Sequence, residues 1–253
     1  MKTVLLLLAL TLAGFSADTQ AQNTRLILVG DSTMAPRSGY GDALCARFRP
    51  ELRCVNLARG GRSSGSFRAE GLWEHVLELL RGPDGPRSYV LIQFGHNDQP
   101  GKPGRSTDLV HDFPANLARY VDEVRATGAT PVLLTPLTRR SFRGPWLHDD
   151  LAPWAAATRR VAADKRAALL DLHALSRAAV QAMGEAEADT LAMAAKPVPG
   201  APIHPATTAE RAGAANPVFD RTHLGDKGAR LIASIVARQL QDLTPELGAQ
   251  LLP

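Results

Sequence analysis

Four short stretches of the chain carry side chains able to do chemistry. They are Gly30-Asp31-Ser32-Thr33-Met34, Asn56-Leu57-Ala58-Arg59-Gly60-Gly61-Arg62-Ser63-Ser64, Gly95-His96-Asn97-Asp98 and Asp220-Arg221-Thr222-His223. A serine hydroxyl is a poor nucleophile until a base takes its proton, and histidine is the usual base. A carboxylate then orients the imidazole and stabilises its charged form. Two residues separate Asp220 from His223. On a turn or helix start, that spacing lets the carboxylate reach the near ring nitrogen while the far nitrogen faces outward. Ser32 is the nucleophile this reading expects, with Asp220 and His223 as its partners. Acyl transfer also needs donors for an oxyanion. The backbone N–H groups of Ser32 and Gly61 and the side-chain amide of Asn97 are the candidates. Ser32 opens a helical segment, which puts its N–H near a positive dipole end.

A competing nucleophile lies inside the second stretch. Gly61-Arg62-Ser63-Ser64-Gly65 fits the G-x-S-x-G elbow. That elbow would follow only two strands, and enzymes built on it usually hold acid and histidine on separate loops. Ser63 therefore reads better as a loop hydroxyl satisfying backbone groups. Ser32-Thr33 has its own plain alternative as a helix cap. Asp31, Arg62, His96, Arg139, Arg140 and His148 are candidate substrate-binding residues. His96 is better read as fixing its loop, and Asp98 as a turn or capping residue. Arg139 or Arg140 could face an acidic sugar, or both could be solvated. His75, His111, His173 and His204 have no partner spacing. Trp146 or Trp154 could stack on a sugar ring, with core packing preferred for Trp154.

These patches need elements to hold them. Apolar runs at 25–29, 52–57, 88–94, 130–135 and 167–172 read as strands buried on both faces of a parallel sheet. Helical patterns lie at roughly 40–49, 68–81, 114–127, 152–166, 173–187 and 226–241. Leu117, Tyr120, Val121 and Val124 share one helix face. Alternating strands and helices predict a parallel sheet covered on both sides, with ligands beyond the carboxyl ends of its strands. Every patch above sits just after a strand or just before the last helix. Residues 195–219, rich in Pro, Ala and Gly, form a long loop leading into Asp220.

At 253 residues the chain suits one domain with a well-buried core. Lys2 precedes an apolar run over 4–15, and Thr19-Gln20-Ala21 offers a cleavage site. Residues 1–21 therefore read as a signal peptide and 22–253 as one exported domain, periplasmic or secreted, with no membrane anchor. In such a protein Cys45 and Cys54 either pair or remain two small buried thiols. No CxxC or HExxH spacing suggests a metal. The net charge is +4, but the basic residues are scattered, which argues against nucleic acid and leaves room for an acidic polysaccharide.

In order and spacing the four patches resemble the four blocks of the SGNH hydrolase superfamily. More closely, the chain resembles the rhamnogalacturonan acetylesterase family. Thr135-Pro136 followed by Arg139-Arg140-Ser141-Phe142 adds to that likeness, which runs from about Thr24 to Leu240. The resemblance implies a flavodoxin-like three-layer α/β/α sandwich with a five-stranded parallel sheet. It implies cofactor-free, metal-free removal of acetyl groups from plant cell-wall polysaccharide. It assigns the nucleophile to Ser32, the acid–base pair to Asp220 and His223, and the oxyanion donors to Ser32, Gly61 and Asn97. A monomer acting on acetylated polysaccharide is expected. The alternatives are a xylan acetylesterase, a lipase or thioesterase, an acyltransferase, or a non-catalytic carbohydrate-binding protein.

Overall fold

The computed structural model describes residues 24–82, 87–197 and 218–253. The expected signal peptide, His204 and most of the 195–219 segment lie outside the described residues. Five parallel strands form the central sheet: β1 (Thr24–Gly30), β2 (Arg53–Asn56), β3 (Arg87–Gln93), β4 (Thr130–Leu134) and β7 (Ala168–Leu170). Their order is β2-β1-β3-β4-β7, and every neighbouring pair is parallel. A separate antiparallel hairpin, not expected from the sequence, joins β5 (Phe142–Arg143) to β6 (Trp146–Leu147).

The sheet buries both faces because its strands are apolar at consecutive positions. In β1, Leu26 and Leu28 face one layer while Ile27 and Val29 face the other. The first layer contains α1 (Gly41–Cys45), α6 (Leu172–Asp189), α7 (Asp226–Leu243) and α8 (Pro245–Gly248). The second contains α2 (Ser66–Ala69), α3 (Leu72–Leu80), α4 (Asp112–Ala126) and α5 (Ala152–Asp164). Helix α7 buries Ile232, Val236 and Leu240, while α4 buries the expected stripe of Leu117, Tyr120, Val121 and Val124. This is the three-layer α/β/α sandwich anticipated. Among the described residues, no helix is long and apolar enough to cross a membrane.

Three expected elements differ, each for a local reason. The helix over 40–49 stops at Cys45 because the C-terminal tail pairs with the chain beyond it: Arg49 N–H donates to Gln250 O and Leu252 N–H to Arg47 O. The helix over 68–81 is broken in two at Gly71, whose φ of +74° is left-handed. The last strand ends at Leu170 because the Asp171 side chain caps α6, accepting from Ala174 N–H. Cys45 and Cys54 form a disulfide that ties the end of α1 to β2, with Cα atoms 5.4 Å apart.

Strand order reverses between β1 and β3, on either side of which crossovers leave in opposite directions. That switch point opens a crevice at the carboxyl ends of the strands. The turn after β1, the loops after β2 and β3 and the segment before α7 all end there.

Candidate active site

The turn after β1 is closed by Asp31. Its carbonyl accepts from Met34 and Ala35 N–H, and its Oδ1 accepts from Thr33 N–H at 2.8 Å and Thr33 Oγ1 at 2.7 Å. Ser32 is thereby held at the crest of the turn. Its Oγ lies 2.9 Å from His223 Nε2, and His223 Nδ1 lies 2.9 Å from Asp220 Oδ2. A carboxylate can only accept, so Nδ1 carries the proton and Nε2 presents its lone pair to the serine hydroxyl. The other carboxylate oxygen of Asp220 accepts from the backbone N–H groups of Thr222 and His223, both at 2.7 Å. Burial pushes the Asp220 carboxyl up, but the His223 contacts and the Thr222 N–H outweigh it and hold it below its ordinary value. It is therefore ionised at neutral pH.

Two further groups fix the distance between the first and last of these residues. Ser38 Oγ donates to Ser32 O at 2.8 Å, and Ser38 O accepts from Leu224 N–H at 2.9 Å. Arg140 reaches from the loop after β4 to the segment before α7. Its Nη2 donates to Asp220 O at 3.0 Å and His223 O at 2.7 Å, and its Nη1 to Thr222 O at 3.4 Å. Burial pulls its guanidinium down to about 10, against the opposing charge of Asp220, so it stays charged.

The donors anticipated for an oxyanion lie on the loops after β1, β2 and β3. Among the described residues, no acceptor takes the backbone N–H of Ser32 or Gly61. Gly61 has a φ of +79°, a conformation that favours glycine. The Asn97 amide donates one hydrogen to Arg62 O at 3.1 Å, which anchors it and leaves its second hydrogen for another acceptor. Asp98 locks these loops together by accepting from Ser64 N–H, Ser64 Oγ and Thr107 Oγ1 on one oxygen. Burial pushes its carboxyl up to about 6, against the pull of those donors.

The other candidates fall elsewhere. Asp31 and His96 are candidate substrate contacts in the sequence, with loop fixing preferred for His96, and both are buried, at 0% and 2% exposure, under the Ser32 turn. His96 Nδ1 lies 3.3 Å from Asp31 Oδ2 without the alignment of a hydrogen bond. Burial pushes the His96 imidazole down despite Asp31. Burial pushes the Asp31 carboxyl up, but His96 and the Thr33 donors outweigh it. Asp31 also ends a buried hydrogen-bonded chain running from Tyr40 through Gln93 and Thr33. Arg140, at 1% exposure, is likewise buried behind the loop it grips and cannot meet a substrate. Arg62 is held by Glu70 and Gly60 O. Arg139 contacts Gln99, Thr222 and Asp150, joining three loops at the crevice wall. His148 is partly exposed beside β6, where its N–H donates to Ser141 O. Ser63 is buried and exchanges hydrogen bonds with Ser66 at the start of α2, and among the described residues no histidine is hydrogen-bonded to it. Trp154 packs edge-on against Phe113, whereas Trp146 stands 70% exposed on the hairpin.

Sequence reasoning missed Arg105. Its guanidinium lies beside Gly61, 3.5 Å from where a side-chain carbon at 61 would stand. Only the Gly/Pro-rich loop at 100–104 hinted that this segment turns back toward the second patch.

A parallel sheet of order 2-1-3-4-5 with this cluster at its switch point defines the SGNH class of carboxylic ester hydrolases. The GDSL-like lipase/acylhydrolase family pattern matches residues 28–231, and the chain belongs to that family. Among curated relatives it is 30% identical, over 87% of this chain and 90% of the relative, to the rhamnogalacturonan acetylesterase RhgT of Bacillus subtilis (strain 168). It is 28% identical, over 86% and 93%, to the probable rhamnogalacturonan acetylesterase YesY of the same organism. Among solved structures, the YxiM protein of Bacillus subtilis superimposes with a TM-score of 0.67 at 22% identity, covering 87% of this chain and 56% of that one. The acetylxylan esterase Axe2 of Geobacillus stearothermophilus gives 0.58 at 19% identity, covering 85% and 93%. The two structural likenesses speak to the fold alone.

Proposed function

We propose that the protein is a serine acetylesterase that deacetylates rhamnogalacturonan through Ser32, His223 and Asp220. The observation that carries this reading is the unbroken line of contacts from the Asp220 carboxylate through the imidazole to the Ser32 hydroxyl. Membership of an ester-hydrolase family and the acetylesterase names of its relatives support the reaction type.

His223 Nε2 takes the Ser32 proton as Oγ attacks the acetyl carbonyl. The N–H groups of Ser32 and Gly61 and the Asn97 amide receive the developing oxyanion. They act most strongly on charge that exists only in the transition state. His223 then protonates the departing sugar oxygen, leaving an acetyl ester on Ser32. Water, deprotonated by the same imidazole, attacks that ester. Acetate leaves and Ser32 is restored. Asp220 keeps the imidazole in the right tautomer and balances its charge. The chain's own residues supply each proton transfer.

Residues 1–21 are proposed to direct export, with 22–253 as a monomeric hydrolase domain that acts on acetylated polysaccharide outside the cytoplasm. The test compares acetate release from acetylated rhamnogalacturonan, acetylated xylan and long-chain acyl esters. The highest kcat/KM is expected on rhamnogalacturonan. Faster turnover of xylan or of long-chain esters would overturn the substrate assignment.

A further inference from the structure

Between the loop that follows the Ser32 turn and the loop after β2 lies a cleft of about 270 Å³ that the reaction above does not use. Arg37, Arg59 and His75 line it, together with the apolar surfaces of Pro36, Leu57 and Leu72. Among the described residues, no carboxylate lines it. Glu78 faces His75 at 3.8 Å, and Asp42 accepts from Asn56, but neither is part of its wall.

Two features set these cations apart. Among the described residues, the guanidinium of neither Arg37 nor Arg59 has a hydrogen-bond or ion-pair partner. Arginines elsewhere around the crevice are engaged: Arg62 by Glu70, Arg139 by Asp150 and Arg140 by three backbone carbonyls. Arg37 also occupies a left-handed conformation, with a φ of +68°. A long side chain is disfavoured there, and glycine or asparagine would sit more easily. The loop that imposes this conformation is tightly held. A side chain at Gly39 would stand 2.3 Å from the Thr33 carbonyl, and Ser38 is bonded to Ser32. Arg59 is equally anchored, its N–H donating to Gly30 O at 2.9 Å. Both cations are therefore carried on backbone that also fixes the nucleophile turn.

We propose that this cleft is a carboxylate subsite that seats a uronic acid residue of the polysaccharide. The inference rests on the acetylesterase reading and deepens it. Two guanidinium forks match a planar carboxylate, and charge-assisted bonds of this kind are among the stronger ones. The apolar wall suits the face of one sugar ring. Substrates that carry a uronate gain affinity here, and neutral ones do not.

The experiment measures kcat/KM for the wild type and for the double variant Arg37→Asn, Arg59→Gln. The substrates are an acetylated rhamnogalacturonan oligosaccharide and the same oligosaccharide with its carboxyls reduced to alcohols. The variant's preference for the acidic over the reduced substrate is expected to fall at least about tenfold, mainly through KM. The wild-type preference is expected to weaken as salt rises, and the variant's is not. An unchanged preference overturns the subsite, and so does an equal loss on both substrates. Turnover of 4-nitrophenyl acetate by the wild type separates this outcome from failure of the esterase reading. If the wild type does not turn it over, the esterase reading itself fails.

Discussion

Two histidine–carboxylate pairs flank the Ser32 turn, and they differ in almost everything except composition. Asp220 and His223 are partly exposed and fully aligned, with both carboxylate oxygens and both ring nitrogens engaged. Asp31 and His96 are buried, and among the described residues neither ring nitrogen of His96 has a hydrogen-bond partner. The first pair can pass a proton between a hydroxyl and the crevice. The second has no route to a reacting atom, and burial holds its imidazole neutral. Residue type alone does not distinguish them. Accessibility and the direction of the far ring nitrogen do.

Replacing one histidine of each pair tests that contrast most severely. His223→Ala is expected to lower kcat on the order of 10⁴-fold or more. His96→Gln is expected to cost about 1–3 kcal/mol of stability while leaving most of the rate. Urea unfolding and steady-state kinetics on both variants read the two effects. Equal losses of kcat would erase the distinction. Asn97→Ala comes next, with kcat expected to fall about 100- to 1000-fold and KM to change little. A dominant KM effect would make Asn97 a ground-state contact instead.

Arg140 extends the comparison, because it is a buried cation serving the exposed pair. Arg140→Met keeps much of the stem and removes the fork that grips the Asp220–His223 segment. A fall in kcat of about 10- to 100-fold is expected from misplacement of the imidazole, with KM nearly constant. Loss of thermal stability with kcat intact would reduce Arg140 to packing.

The smallest effect concerns Asp98, whose carboxyl is pushed up to about 6. Its folded value lies above the unfolded one, so the native state holds the extra proton between about pH 4 and 6. The native state then loses stability as pH rises through that window. Asp98→Asn keeps the oxygen that accepts all three hydrogen bonds and never ionises. Relative to the variant, the wild type should lose about 2–3 kcal/mol between pH 4 and pH 7, measured by urea unfolding at each pH. A difference independent of pH would contradict the buried-charge account.

Much of this architecture was legible before any coordinates. Strands β1, β3 and β4 are consecutive apolar runs, and such runs fit only a sheet covered on both faces. The spacing of Asp220 and His223 is local, so the turn that aligns them could be anticipated. What escaped was long-range. Arg139-Arg140 reads either as a contact to an acidic sugar or as a solvated pair, because nothing nearby in the chain announces a loop 80 residues later that Arg140 will grip. The early end of α1 depends on the C-terminal tail, and the bridging role of Ser38 depends on both Ser32 and Leu224. Asp31 and His96 sit in motif positions that invite a substrate role, and only burial removes it.

The central claim is that the hydroxyl of Ser32 attacks the ester carbonyl. Covalent labelling with an organophosphate ester, followed by peptide mass spectrometry, tests it directly. One adduct is expected, on the peptide containing Ser32, and it should disappear in His223→Ala. An adduct on Ser63, or labelling at Ser32 that does not depend on His223, would contradict the account.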